Sequence, residues 1–273
     1  MQAAMALCCT IFSAACLAAP RSEAGPSQVE SAQGMMRSGE RAFIELGAKR
    51  GGLTDFKLRS STGPSGRLVL DGFSAGLGGG RVEATGRIDF GDSRGPQRLR
   101  VKLTGVDGAA LLKSFDFKLD ARVSARVDAL VDVAWTGLGR PKAKRTMTGS
   151  ASFSTGPGTV QGADFLDEAA RLAGNPALAR LDFAKASGQA RFGGGTMTVT
   201  DLRFTGPTQQ VSGTGRLELP DSRANFNLSV KMVPAGGNGP ATDVPGTLTL
   251  QGKLDRLKAR WTAPATAGGI AAR

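Results

Sequence analysis

Apolar residues occupy every second position of the chain from Phe115 to Trp135, and nearly all the residues between them are polar or charged. A two-residue period places the apolar side chains on one face of a β-strand and the polar ones on the other. We call these the dry face and the wet face. No glycine, proline or asparagine interrupts the run, which as one strand would span roughly 70 Å at about 3.3 Å per residue. This run predicts an elongated sheet with one face to bury.

The same two-residue period recurs along the chain, and breaks rich in glycine separate the segments. Near Val199 the apolar positions change from odd to even numbers, which predicts a β-bulge. The alternating segments include 82–90, 99–103, 226–232 and 248–250, and the predicted turns include Gly63-Pro64, Gly91-Asp92, Gly156-Pro157-Gly158 and Gly236-Gly237. Segments with one apolar face are typical of antiparallel sheets. We therefore predict a mainly β protein built on an elongated, curved antiparallel sheet, groove-like or a partly open sandwich, with two or three short helices.

Three segments carry helix signals. Ser27 and Glu30 match a capping box, and apolar residues at helical spacing follow as far as Phe43 and Leu46. Asp107 is placed to cap a short apolar stretch that includes Leu111 and Leu112. Asp164 is expected to cap a helix over 165–173, with Gly174 after its last turn. The stretch 181–192 is expected to form one of several successive strands joined by hairpins.

Composition excludes several kinds of active site. The chain has no histidine and no tyrosine, which excludes Ser-His-Asp and Cys-His catalysis and metal sites built on histidine. Its three cysteines, Cys8, Cys9 and Cys16, leave none in the rest of the chain for a disulfide or a zinc site. No other group of residues marks a reaction centre. The sequence therefore predicts a protein that is not an enzyme and has no catalytic residues, no metal and no cofactor.

The net charge of +12 favours an anionic partner such as a phospholipid surface or nucleic acid. One dense basic cluster supplies the candidates for binding anionic headgroups: Arg140, Lys142, Lys144 and Arg145. Pro141 predicts that this cluster lies in a loop between two strands. A solvated linker with no ligand is the alternative interpretation.

We divide the chain into four segments. Residues 1–20 are uncharged and rich in alanine, and form a signal-like or anchor segment. Residues 21–52 form a linker that carries the first helix signal. Residues 53–262 form the β-rich domain, and residues 263–273 form a disordered tail.

A sheet of this kind must hide its dry face, and two short helices are too small to cover so many strands. The sheet must then pack on a second sheet, close on itself, or form a trough that contacts something outside the chain. The dry face consists mostly of small aliphatic residues, which suits acyl chains better than sugars. The residues predicted to line a lipid groove are Val123, Val127, Val131, Val133, Phe226, Leu228 and Val230. Packing within a closed β-sandwich without a ligand is the alternative.

The order of several short motifs resembles the AsmA-like family of Gram-negative envelope proteins, in particular its C-terminal domain. The resemblance covers about residues 53 to 260 and includes a helix after Gly162-Ala163-Asp164. The motifs are Leu77-Gly78-Gly79-Gly80-Arg81-Val82, Gly86-Arg87-Ile88-Asp89, Val106-Asp107 with Leu111-Leu112, Met147-Thr148-Gly149-Ser150-Ala151-Ser152-Phe153, Gly158-Thr159-Val160-Gln161-Gly162-Ala163-Asp164, Thr200-Asp201-Leu202 and Val211-Ser212-Gly213-Thr214-Gly215.

Members of that family are implicated in outer-membrane assembly and in moving phospholipid across the periplasm along β-sheet grooves. They are similar to the bridge-like lipid transfer proteins of eukaryotes. The resemblance implies a periplasmic, inner-membrane-associated protein that shields or transfers phospholipid acyl chains, or supports outer-membrane assembly. Its expected partners are phospholipid or a membrane surface, and another envelope protein. Two alternatives stay open: an interaction module that pairs through exposed sheet edges, and a basic nucleic-acid-binding protein.

Overall fold

A single antiparallel sheet organises the chain. The computed structural model describes residues 42–46, 53–62, 67–89, 94–114, 122–137, 140–233, 246–254 and 256–263. The strands are β1 (Ala42–Leu46), β2 (Leu53–Thr62), β3 (Arg67–Leu77), β4 (Gly80–Asp89), β5 (Pro96–Asp107), β6 (Arg122–Thr136), β7 (Thr148–Gln161), β8 (Arg180–Phe183), β9 (Lys185–Gly193), β10 (Thr196–Thr205), β11 (Gln209–Glu218), β12 (Arg223–Met232), β13 (Gly246–Lys253) and β14 (Arg256–Thr262). The helices are α1 (Gly108–Ser114), α2 (Arg140–Thr146) and α3 (Asp164–Ala173), followed by a 3₁₀ turn (Pro176–Ala179).

Each strand pairs with the strand that follows it, apart from one branch at β7. That strand pairs with β9 along 149–155 and with the short β8 along 158–161. Among the described strands, β1 and β14 each have one neighbour and do not pair with each other, so the sheet is open. The prediction of a mainly β, open antiparallel sheet with a few short helices is confirmed.

The two-residue period of the sequence becomes the two faces of the sheet. Along β6 and β12, buried and exposed side chains alternate as predicted. Residues 115–121, the first part of the long alternating run, lie outside the described residues. The dry face forms one contiguous apolar core that extends from Leu77 on β3 to Leu257 on β14. A continuous apolar surface therefore follows almost the whole sheet.

Glycines on the dry face lie beneath large side chains of the neighbouring strand. Gly215 lies directly opposite Phe226, and Gly188 lies opposite Phe153. A Cβ atom added at either glycine would collide with the facing aromatic ring. The absent side chain leaves room for the ring to lie over the neighbouring backbone, an arrangement known to compensate for glycine in strands. Such pairs explain part of the high glycine content of the chain, which at about 14 % is twice the average.

Two details predicted from the sequence are confirmed at atomic level. The register of β10 shifts after Val199 against both of its neighbours, which is the predicted bulge. The Asp107 side chain accepts a hydrogen bond from the Ala110 backbone N–H at 2.8 Å and so caps α1.

The helix predicted to extend through Phe43 and Leu46 is wrong at its end, because residues 42–46 form β1 and pair with β2. The earlier part of that helix, with Ser27 and Glu30, lies outside the described residues. Strand pairing replaces helical spacing in this segment because β2 supplies backbone hydrogen bonds along its whole length, and such tertiary contacts override local helix propensity.

Three further predictions are wrong in position. Ala163, not Asp164, is the N-cap of α3, although Gly174 ends that helix in the left-handed conformation as expected. The strand expected over 181–192 is divided into β8 and β9 at Ala184. Gly156-Pro157-Gly158 does not form a turn, because β7 continues through it and the pairing with β6 shifts register there. A bulge accommodates Pro157, which has no N–H to give to a ladder.

Candidate functional site

The seven residues predicted to line a groove all lie on the dry face, in two separate patches. Val123, Val127, Val131 and Val133 lie on β6, and Phe226, Leu228 and Val230 lie on β12. Five strand spacings separate β6 from β12 in the order of the sheet, or about 24 Å at about 4.8 Å per strand. All seven are at most 6 % exposed and belong to the contiguous core. The dry face therefore connects the two patches.

Helix α3 covers the C-terminal part of the dry face. It turns Phe165, Leu166, Ala169 and Ala170 inward, and contacts the 3₁₀ turn and β14. Helix α1 contributes the buried Leu111 and Leu112 beside β5 and β6. The short helices leave most of the sheet uncovered, and α3 covers only its C-terminal strands. One amphipathic helix crosses several strands because its buried face runs its whole length.

A void of about 10 Å³ lies between α3 and the dry face. Its lining includes Leu166 and Ala169 of α3, with Leu181, Val230 and Leu248 of the sheet. A buried water needs roughly 10 to 15 Å³ of such space, so this void is far too small for an acyl chain. An acyl chain on this C-terminal part of the dry face must therefore take the place that α3 occupies.

Among the described residues, one polar contact joins α3 to the last strand of the sheet. The Glu168 carboxylate oxygen Oε2 accepts a hydrogen bond from the Ala259 backbone N–H at 3.1 Å. This amide is one of the edge donors of β14, which among the described strands pairs only with β13. Glu168 thus holds α3 in place and also occupies a donor that an incoming strand would need. Its separation of 91 residues from Ala259 leaves no local signal in the sequence.

Few polar groups interrupt the core. The Gln209 amide Nε2 donates to the Arg180 carbonyl oxygen at 2.7 Å, and the Thr155 hydroxyl accepts from the Ala186 N–H at 3.1 Å. The Trp135 indole N–H is the only buried side-chain polar atom without a hydrogen-bond partner within the described part of the chain. Burying such a donor without an acceptor destabilises the fold by about 1 to 3 kcal/mol. The unpaired N–H lies at the end of β6 on the dry face.

The predicted headgroup-binding cluster lies on a helix and not in a loop. Residues 140–146 form α2, and Pro141 fits there because the first helical turn needs no N–H from it. Lys142 and Arg145 are exposed and Lys144 is half-buried. The Arg140 side chain lies outside the described residues. The described cations of this cluster are thus available to solvent on one short helix.

A second and more extended basic surface was missed from the sequence. Arg223, Lys253 and Arg256 lie directly opposite one another across β12, β13 and β14, all on the wet face. Lys258 and Arg260 continue this surface along β14 and are exposed. Like charges in directly paired positions destabilise a sheet. Arg223 is distant in the sequence from Lys253 and Arg256, so only the register of the strands could bring all three into one row.

No group of three or more potential metal-ligating side chains occurs within the part of the chain that the structure describes. Among those residues, no helix combines the length and apolar character that crossing a bilayer requires.

Comparison with known proteins gives no match to a protein-family model, to a curated protein or to a solved structure. The resemblance to the AsmA-like family stays a prediction, and the fold and its surfaces carry the functional inference.

Proposed function

We propose that this protein is a non-enzymatic envelope protein of the AsmA-like type that shields or transfers phospholipid acyl chains along the dry face of its sheet, or supports outer-membrane assembly in this way. One observation carries the proposal. A single open sheet bears one contiguous apolar face from β3 to β14, and a single short helix, α3, covers its C-terminal part. The residues of this face are buried along its whole length, so an acyl chain would follow it by displacing what now covers it, which at the C-terminal strands is α3.

The free energy lost when α3 leaves the dry face is comparable to the free energy gained when an acyl chain is buried in its place. Exposing Phe165 and Leu166 of α3 to water costs about 3 to 6 kcal/mol in total, at about 1.5 to 3 kcal/mol for each side chain. Burying ten methylene groups that would otherwise be in water returns about 8 kcal/mol, at about 0.8 kcal/mol each. An acyl chain that has left a bilayer for water can therefore displace α3 from the dry face. This proposal makes α3 a lid that closes the path when no lipid is present.

The basic surface of β14 lies at the same edge of the sheet as the lid contact, on the opposite face. Ala259, the residue that Glu168 contacts, stands between Lys258 and Arg260 on β14, whose exposed side chains lie on the wet face. Anionic headgroups attracted to these cations would lie across the edge strand from α3. Membrane contact and opening of the lid would then involve the same edge strand.

Fixing the lid in place should abolish lipid uptake. In a chain with Cys8, Cys9 and Cys16 replaced by serine, the pair Glu168→Cys and Ala259→Cys can be joined by a short bis-maleimide linker. We expect the cross-linked protein to take up at least tenfold less fluorescent phospholipid from donor vesicles than the same variant before cross-linking. Organic extraction and mass spectrometry of the purified wild type should show bound phospholipid.

The matched control is a cross-link on the wet face. Asn227→Cys and Thr249→Cys join β12 to β13 at a pair whose Thr249 Oγ1 and Asn227 Oδ1 atoms are 3.2 Å apart, on the opposite face of the sheet from the lid. This cross-link should leave uptake unchanged. Equal uptake by the locked-lid protein would contradict the role of α3, and a wild type that neither carries nor takes up lipid would contradict the proposed function.

Binding to anionic vesicles should depend on the basic surface of β14. The triple change Arg256→Gln, Lys258→Gln and Arg260→Gln should weaken binding to phosphatidylglycerol vesicles by tenfold or more, since each basic residue near such a surface contributes about 1 kcal/mol. It should also reduce the dependence on salt. The comparison variant changes Lys142, Lys144 and Arg145 of α2 to glutamine. Wild-type binding that does not respond to salt would refute an electrostatic contact.

The interaction-module alternative meets two obstacles at β14. Glu168 already occupies the Ala259 edge donor, and the strand carries three exposed cations. Both features are known to keep edge strands from pairing with other chains.

A further inference from the structure

The wet face is not uniformly flat. Across β4, β5, β6 and β7 it forms an open trough of about 720 Å³, which we call the wet-face trough. Its lining includes Thr85, Arg100, Lys102, Leu130, Ser152 and Ser154. The volume lies within the roughly 300 to 1,000 Å³ typical of ligand sites. The small side chains on β7 leave the space, and the longer side chains on β5 border it.

The acidic groups of the trough already have partners. Glu83 forms an ion pair with Arg81 at 3.0 Å along the same strand. Asp128 accepts a hydrogen bond from the Gly105 backbone N–H at 2.8 Å, at the point where the pairing of β5 with β6 shifts register. Both carboxylates thus have structural roles that do not depend on a ligand.

The two cations of the trough are differently placed. Arg100 and Lys102 are exposed and make no hydrogen bond or ion pair with any described residue. Arg100 lies opposite Asp132 in the register, but Asp132 accepts from Arg98 at 3.1 and 3.2 Å. These hydrogen bonds and the charge of Asp132 raise the pKa of Arg98 above its ordinary value. The donors of Arg100 and Lys102 are therefore free to bind a carboxylate or a phosphate.

An apolar side chain lies beside these cations. Leu130 is 37 % exposed and is one of two large hydrophobic residues that are exposed in the described part of the chain. It lies directly between Lys102 on β5 and Ser152 on β7. Leu130 interrupts a polar stretch of the wet face of β6, where the wet positions on either side of it, Asp128 and Asp132, are both charged. A ligand that suits this site needs an anionic head and an apolar arm.

We propose that the wet-face trough is a second ligand site, independent of the dry face, that binds a single-chain amphiphilic anion. Arg100 and Lys102 bind the carboxylate or phosphate head, and Leu130 contacts the start of the alkyl chain. The chemistry is shared by a free fatty acid and by a lipid with a single chain and a phosphate head. The site lies on the opposite face of the sheet from the acyl-chain path and does not rest on the function proposed for that path.

The test is calorimetric titration of the folded full-length protein with three probes, each below its micelle concentration. Dodecanoate and dodecyl phosphate carry the anionic head, and dodecyl maltoside carries the same chain with a neutral head. We expect both anionic probes, or one of them, to bind at least tenfold more tightly than dodecyl maltoside. Binding of both favours a fatty acid as a natural source, whereas binding of dodecyl phosphate alone favours a phosphate-bearing lipid.

Three variants locate the site. Arg100→Gln with Lys102→Gln should reduce the affinity for the anionic probe by tenfold or more. Leu130→Ser should reduce the ratio between the affinity for the dodecyl probe and the affinity for a butyl compound with the same anionic head. Lys231→Gln, which removes an exposed cation of β12 outside the trough, should change neither.

Two results would overturn the proposal: equal binding of all three probes, or unchanged affinity in the Arg100 and Lys102 variant. If the cross-link between α3 and β14 abolishes probe binding while the trough variants bind normally, the probe occupies the dry face. That outcome would overturn the trough site and leave the proposed function intact.

Discussion

We expect Val131→Asp to unfold the domain at neutral pH and Leu130→Asp to leave it folded. These adjacent residues of β6 point to opposite faces of the sheet, and Val131 is 1 % exposed whereas Leu130 is 37 % exposed. Replacing Val131 loses about 1.5 to 3 kcal/mol of apolar burial and places a carboxylate in the core, at a cost of several kcal/mol more. The sum approaches the roughly 5 to 15 kcal/mol total stability of an ordinary domain.

Urea unfolding followed by circular dichroism measures this difference. Burial raises the pKa of the introduced carboxyl above that in the unfolded chain, so its penalty is fully present at neutral pH. As pH falls below the folded-state pKa the carboxyl becomes neutral, and the stability gap between Val131→Asp and wild type should narrow. Leu130→Asp should stay within about 0.5 kcal/mol of wild type, as surface changes usually do. A folded Val131→Asp variant of near wild-type stability would show that Val131 is not a core residue.

Gly215→Ala should destabilise the domain by about 1 to 3 kcal/mol, the usual cost of overfilling a packed core. The physical reason is the Phe226 ring, which a Cβ atom at position 215 would strike. Gly193→Ala is the matched control, since a Cβ atom there meets no heavy atom within 4 Å. Neither glycine has a left-handed backbone, so the comparison isolates packing. Thermal unfolding of the two variants gives the difference directly.

A double-mutant cycle tests whether the collision with the Phe226 ring causes this loss of stability. Phe226→Leu alone should destabilise, because the ring fills its site with no exposed surface. Combined with Gly215→Ala it should cost at least about 0.5 kcal/mol less than the two single effects together, since the smaller side chain relieves the collision. Strictly additive effects would show that the Gly215 contact with Phe226 is not the source of the loss.

Local patterns in the sequence predicted the sheet and several of its details. The change of apolar positions near Val199 predicted a bulge that the pairing of β10 confirms. Asp107 was identified as a cap because its partner lies three residues away. The errors fall where two local signals compete, as at Pro157, which indicates a turn in isolation but is accommodated by a bulge within a long strand.

Contacts between distant residues could not be predicted in the same way. The Glu168 contact with Ala259 depends on where α3 lies relative to the last strand. The row formed by Arg223, Lys253 and Arg256 depends on the register of three strands. Leu130 is visible in the sequence as an exception in the alternation, but the trough around it requires the placement of four strands.

The sequence by itself determined that strands would form and which side of each would avoid water, because alternation between neighbouring residues specifies both. Only the tertiary structure decided that a helix would close over the apolar side, which amide at the sheet edge would be occupied, and where charges would gather. Those outcomes depend on the register and curvature of the whole sheet. Every strand contributes a little to both, so no single segment of the sequence predicts them.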